Sequence, residues 1–117
     1  MNRCFGFLLL ALATLQTTAQ EADGVARNEW PATARRAVPL IVARLTVEQR
    51  GHIQMMKKND LIMLHHEWGM DIRNYLGLWR GNDRLRESIC GVGCHPDDAS
   101  MILMGETWEV LQSSELR

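Results

Sequence analysis

Four short constellations in this sequence of 117 residues combine side chains that can do chemistry. The first is Arg73-Asn74, in the middle of an otherwise apolar helical stretch. A guanidinium beside an amide can hold a carboxylate or phosphate through bidentate hydrogen bonds. The structural alternative pairs Arg73 with Asp97, Asp98 or Glu67 and lets Asn74 tie a neighbouring loop to its helix. A small domain with many helix ends to satisfy favours that second role. The second constellation, His95-Pro96-Asp97-Asp98, offers a His–Asp pair for acid/base work or for a metal. It also reads as the start of a helix. Proline suits the first turn, and carboxylates there satisfy free amides and oppose the helix dipole, worth roughly 0.5–2 kcal/mol in all. Capping accounts for both acids without a further assumption.

The third is His65-His66-Glu67. Adjacent side chains on a helix point about 100° apart, so the two histidines cannot readily chelate one ion together. His65 falls on an apolar stripe, where a hydrogen-bonded core histidine is the commoner outcome. A zinc site made of His65 or His66 with His95 and Asp97 is chemically allowed, but no spacing demands it. The chain has no Gly-x-Ser-x-Gly, no His-Glu-x-x-His and no phosphate-binding glycine loop. No metal and no cofactor is expected from these residues.

The fourth is Cys90-Gly91-Val92-Gly93-Cys94, and its chemistry depends on compartment. Met1 to Cys4 carry one positive charge, Phe5 to Leu15 are apolar, and Thr17 and Ala19 stand where a signal peptidase reads. That apolar run is too short for a bilayer core of roughly 30 Å, which takes about 20 helical residues. Residues 1–19 are therefore expected to be a secretion signal and the product to be exported, periplasmic or secreted. No other stretch is apolar enough to span a membrane. Cys4 would leave with the signal, and the remaining pair, in an oxidising compartment, is expected to form a disulfide. The two glycines supply the positive backbone angles that so tight a loop needs, and loop-closure arithmetic gives about 2 kcal/mol. Cys-x-x-x-Cys-His is one residue longer than the haem-attachment motif, and a zinc site would need a fourth ligand and reduced thiols.

The elements that must carry these residues read as helices. Ala34, Ala37, Val38, Ile41 and Leu45 recur at helical spacing behind Thr33 as N-cap, with Pro39 expected to kink or shorten the helix. Thr46 and Gln49 form a capping-box pair that opens a second helix, with His52, Ile53 and Met56 on one face. A third, about 60–68, is capped by Asn59-Asp60, aligns Leu61, Leu64, His65 and Trp68, and stops at Gly69. A fourth, about 70–79, aligns Ile72, Tyr75, Leu76 and Trp79. After a turn at Arg80 to Asp83, a short helix spans about 84–89, and the last runs from about 97 to 112 with Met101, Met104, Trp108 and Leu111 aligned. The expectation is a single small all-α domain of five or six short helices with one local disulfide, closed around indole rings. Residues 20–29 read as a flexible leader, 30–112 as the domain and 113–117 as a tail.

The chain carries 14 acidic against 13 basic residues, which gives no general field for nucleic acid or anionic lipid.

Gly69 to Trp79, Gly81-Asn82, Leu85, His95 to Ser100 and Trp108, in this order, resemble a bacterial family catalogued as domain of unknown function number 6794. The resemblance runs from about Trp30 to Leu111 and implies domain boundaries without a mechanism. The cysteine pair is an addition to the family's pattern, hence a poor candidate for shared chemistry. Two functions from different classes follow. One is an exported interaction module that binds another exported or envelope protein through Arg73, Asn74, Trp79, Asn82, His95, Asp97 and Asp98. The other is a small hydrolase, with or without the assistance of a metal, using His65 or His66, His95 and Asp97.

Overall fold

A computed structural model describes residues 24–115; the expected signal at 1–19 lies outside them. Thr33 accepts a hydrogen bond from the Arg36 amide and so opens α1, Ala34–Arg44. Its inner face is Ala37, Val38 and Ile41. Pro39 sits within α1, which runs on to Arg44 instead of being shortened. Pro39 is exposed, and the carbonyl left without a helical partner belongs to exposed Arg35, where water can serve it. The Thr46/Gln49 capping box opens α2, Val47–Met55, with both reciprocal bonds formed at 3.1 and 2.8 Å. Ile53 is buried there and Met56 half-buried, whereas His52 stays at the surface.

The next stretch departs from expectation. Two helices separated at Gly69 are expected, but the backbone forms one continuous helical run. It begins as a 3-10 helix, Lys58–Leu64, passes through a π turn, His65–Gly69, and ends as α3, Met70–Tyr75. Lys57, not Asn59-Asp60, stands at the N-cap, and no side chain caps it. Gly69 has helical angles, φ −59° and ψ −43°. It is a glycine for reasons of space, since a Cβ there would lie 3.0 Å from Arg73 Nη1 and 3.5 Å from Met104 Sδ.

The run stops at Tyr75, four residues before the expected end at 79. Gly77 takes φ +71°, and the Leu78 amide donates to the Arg73 carbonyl at 3.0 Å, the long bond of a glycine-terminated helix. Leaving the helix there shifts the inward position by one residue. Leu78 becomes buried at 2% and Trp79, expected on the apolar stripe, stands 55% exposed. Gly77 also receives the Trp30 indole, whose Nε1 donates to the Val25 carbonyl at 3.0 Å. The Val25 amide in turn donates to the Tyr75 carbonyl, so residues 25–30 are stitched to the end of α3.

Asn82 caps α4, Asp83–Cys90, and α5 spans Pro96–Glu115. The last helix is the central element. Ala99, Leu103, Met104 and Leu111 are buried along it, and the polar members of that face are satisfied internally, Thr107 by donating to the Leu103 carbonyl at 2.7 Å. Trp108 and Gln112 donate to the Met56 and Gln54 carbonyls, which fastens α5 to α2. The described residues form an all-α domain with five α-helices and no strand.

The Cys90–Cys94 disulfide closes its loop with a Cα–Cα distance of 5.3 Å, and Gly91 and Gly93 adopt φ +90° and +83°. Arg86, paired with Asp83, donates to the Cys94 carbonyl at 2.6 Å and anchors the loop independently. Replacing both cysteines by serine is expected to lower stability by about 2 kcal/mol while leaving the helical circular-dichroism spectrum unchanged. Urea unfolding of the two proteins checks this.

Candidate functional site

Arg73 is 4% exposed, although it sits on a short helix among apolar neighbours. It can be there because Gly69, one turn earlier, leaves room for the guanidinium to lie against the helix backbone. Three groups receive it. Nη1 donates to Ser100 Oγ at 2.9 Å, Nη2 to the His65 carbonyl at 3.3 Å, and Nε faces Asp97 Oδ1 at 3.5 Å. Ser100 is itself buried and donates to the Asp97 carbonyl at 2.9 Å. The result is a closed network that pins the helical run to the first turn of α5. Each of the three guanidinium nitrogens thus faces a partner inside the protein, with Asp97 the acid that Nε meets, as the structural alternative expects.

His95 does the capping that sequence reasoning assigns to the two acids. Its Nδ1 accepts the Asp97 amide at 3.1 Å, and its carbonyl accepts the Ala99 amide. This requires a lone pair on Nδ1, so the neutral ring carries its proton on Nε2. Asp97 is thereby free to face Arg73, and Asp98 is exposed. His65 Nε2 lies 4.0 Å and His95 Nδ1 3.8 Å from Asp97 Oδ2. The structure thus gathers His65, His95 and Asp97, but beyond the roughly 2.6–3.2 Å that direct proton transfer takes. Among the described residues, no group of three His, Cys, Asp or Glu is placed to hold a metal ion. His66 is exposed and touches the group only through the edge of its ring on His65, 5.2 Å between centroids.

Asn82 is 4% exposed and fully committed. Its amide nitrogen donates to the Leu76 carbonyl at 2.8 Å and the Pro31 carbonyl at 3.3 Å, and its oxygen accepts the Leu85 amide. Asn82→Ala removes a cap and strands a buried carbonyl, and is expected to cost about 2 kcal/mol in chemical denaturation. Asn74 is exposed, and the loop is tied through its carbonyl, which accepts Arg80 Nη2 at 2.8 Å. Trp79 stands outside with its ring edge-on to His95, 5.3 Å between centroids.

The concavity lies elsewhere. Between α1–α2 and the run His65–Tyr75 there is a cleft of about 740 Å³, floored by Ile41, Leu45, Ile53, Trp68 and Ile72. That volume falls within the ordinary range for ligand clefts. Arg44 on its wall grips Asp71 through two bonds, 2.8 and 2.9 Å, and lies 4.4 Å over the Tyr75 ring. Glu48 and Glu67 stand exposed on the rim with no ion pair among the described residues. None of His65, His95 or Asp97 lines this cleft. Sequence reasoning did not find it, because its parts come from α1, α2 and the helical run.

The family profile described as domain of unknown function (DUF6794) matches residues 30–111. No curated protein and no solved structure matches the chain.

Proposed function

The chain belongs to the DUF6794 family, and on that premise we propose that it is a binding module whose recognition surface is the cleft between α1–α2 and the helical run. The partner is a protein segment that presents an apolar side chain flanked by lysine or arginine. One observation carries the reading: an apolar floor, including the indole of Trp68, lies beneath a rim on which Glu48 and Glu67 have no ion pair among the described residues. The floor removes an apolar group from water, and the rim rewards basic neighbours and penalises acidic ones. Arg44 is already held by Asp71 and Tyr75, so it shapes the wall and leaves the net charge of the rim negative. The apolar zone of residues 1–19 supports export, and the partner on this reading is another exported or envelope protein.

Fluorescence anisotropy with short labelled peptides tests the proposal. A peptide with a central leucine or phenylalanine between lysines should bind, and the same peptide with glutamates in their place should bind at least ~10-fold more weakly. Glu48→Gln with Glu67→Gln should weaken the lysine-flanked peptide by roughly 5-fold, two exposed ion pairs being worth about 1 kcal/mol together. Equal affinity for both peptides, binding of neither, or binding that ignores the two substitutions would each contradict the reading.

A further inference from the structure

A second concavity, about 730 Å³, runs between α1 and α5, away from the cleft. Its floor is apolar, with Val38 and Val42 on one side and Val110 on the other. Its two walls carry opposite charge. The α1 side bears Arg35, joined by Arg50 of α2, whose Nη2 donates to the Val42 carbonyl at 3.0 Å, and the α5 side bears Glu106 and Glu109. Glu109 is held by Lys58 at 2.7 Å. Arg35 and Glu106 are exposed and have no ion pair among the described residues, although both line the same groove. We infer that the occupant of this groove is the same groove of a second copy of the chain, in a two-fold dimer whose axis runs along the groove.

The geometry follows from the charge pattern. An isologous contact repeats one patch against itself. Rotation by a half-turn about an axis along the groove exchanges its two walls, so the basic α1 wall of one copy meets the acidic α5 wall of the other. A half-turn about an axis across the groove would set like charge against like. Only the first arrangement covers the apolar floor and pairs Arg35 with the second copy's Glu106 twice. The cleft of the proposed function has an acidic rim whose arginine, Arg44, is engaged by Asp71, so it is not complementary to itself and stays open in such a dimer.

Sedimentation equilibrium on the full chain over a concentration series tests this. The wild-type protein should pass from the chain mass to twice that mass. Arg35→Glu should weaken association by at least ~10-fold, because it places two carboxylates face to face at each of two symmetric positions, and Glu106→Arg should do the same. The exchanged pair Arg35→Glu with Glu106→Arg should restore association to within about 3-fold of wild type, a recovery that general surface effects do not give. Both positions are exposed, and melting curves of the variants should overlay the wild type at concentrations where all are monomeric. A wild-type protein that stays monomeric throughout the series, a single variant that associates as strongly as wild type, or an exchanged pair that stays as weak as the singles would overturn the proposal.

Discussion

Gly77→Ala is expected to destabilise the domain by about 4 kcal/mol, enough to unfold much of the population at ordinary temperature. Two effects add. The residue sits at φ +71°, where a β-carbon costs roughly 1–2 kcal/mol. The new methyl would also stand 2.3 Å from Trp30 Cζ2 and 2.5 Å from Cε2. Atoms cannot share that space, so the indole must leave. With it go the Nε1 bond to the Val25 carbonyl and the flanking by Arg27 and Arg80, at 4.8 and 5.8 Å from the ring. Losing the burial of an indole accounts for roughly 2–3 kcal/mol more. Thermal denaturation followed by circular dichroism measures the sum, expected as a fall in Tm of roughly 20 °C. In a Trp30→Ala background the same substitution should cost only about 1 kcal/mol, since the clash is gone and the backbone strain remains. An equal cost in both backgrounds would show that the indole and the glycine are not in contact.

Arg73→Met is the second large effect, about 3 kcal/mol. The substitution keeps much of the aliphatic volume and removes every polar bond the guanidinium makes. The His65 carbonyl and Ser100 Oγ then lose their charged donor in or near the core. Asp97 is different. Its side chain is 43% exposed and can rehydrate, which keeps the loss at the lower end of the roughly 3–5 kcal/mol found when a buried pair is broken. Arg73→Lys should recover little, because a single ammonium cannot reach a hydroxyl, a carbonyl and a carboxylate in the places where a planar fork meets them. Urea unfolding of the two variants distinguishes a loss of bonding geometry, in which Lys resembles Met, from a simple loss of charge, in which Lys resembles Arg.

What could be read from the sequence was local. The Thr33 cap, the Thr46/Gln49 box and the cystine loop with its two glycines each depend on residues within four positions of one another, and each forms as expected. The errors arose where a distant residue decides. Gly69 has the composition of a helix stop, but its role is to admit Arg73 from the next turn and Met104 from α5. Trp79 fits the stripe of a helix that continues, and it turns outward because Gly77, engaged by Trp30, ends that helix early. The His95-Pro96-Asp97-Asp98 segment starts a helix as its composition predicts, while the division of labour within it is not legible in the sequence. A histidine ring caps and an aspartate reaches across to Arg73, a choice that only the arrival of the helical run can make. Asn82, in a turn obvious from its composition, proves to be an internal fastener for three backbone segments.

The same reasoning separates the two candidate sites. Arg73, Asn82 and His95 have the residue types of a binding site and use their hydrogen bonds internally. The cleft is lined by residues that the sequence offers for other roles, Glu67 and the Thr46/Gln49 box among them, and its glutamates Glu48 and Glu67 have no ion pair among the described residues. Polar residues that stand out as motifs in this sequence therefore report how its helices are locked together, and the recognition surface proposed above is a neighbouring one.

That claim is tested most directly by a double-mutant cycle between Arg73 and Ser100, read by urea unfolding of Arg73→Met, Ser100→Ala and the combined variant. If the guanidinium and the hydroxyl belong to one internal fastening, the two losses should overlap and leave a coupling of more than about 1 kcal/mol. Losses that add to within roughly 0.5 kcal/mol would mean that Arg73 does not act through this network, and the structural account of the motif would fail.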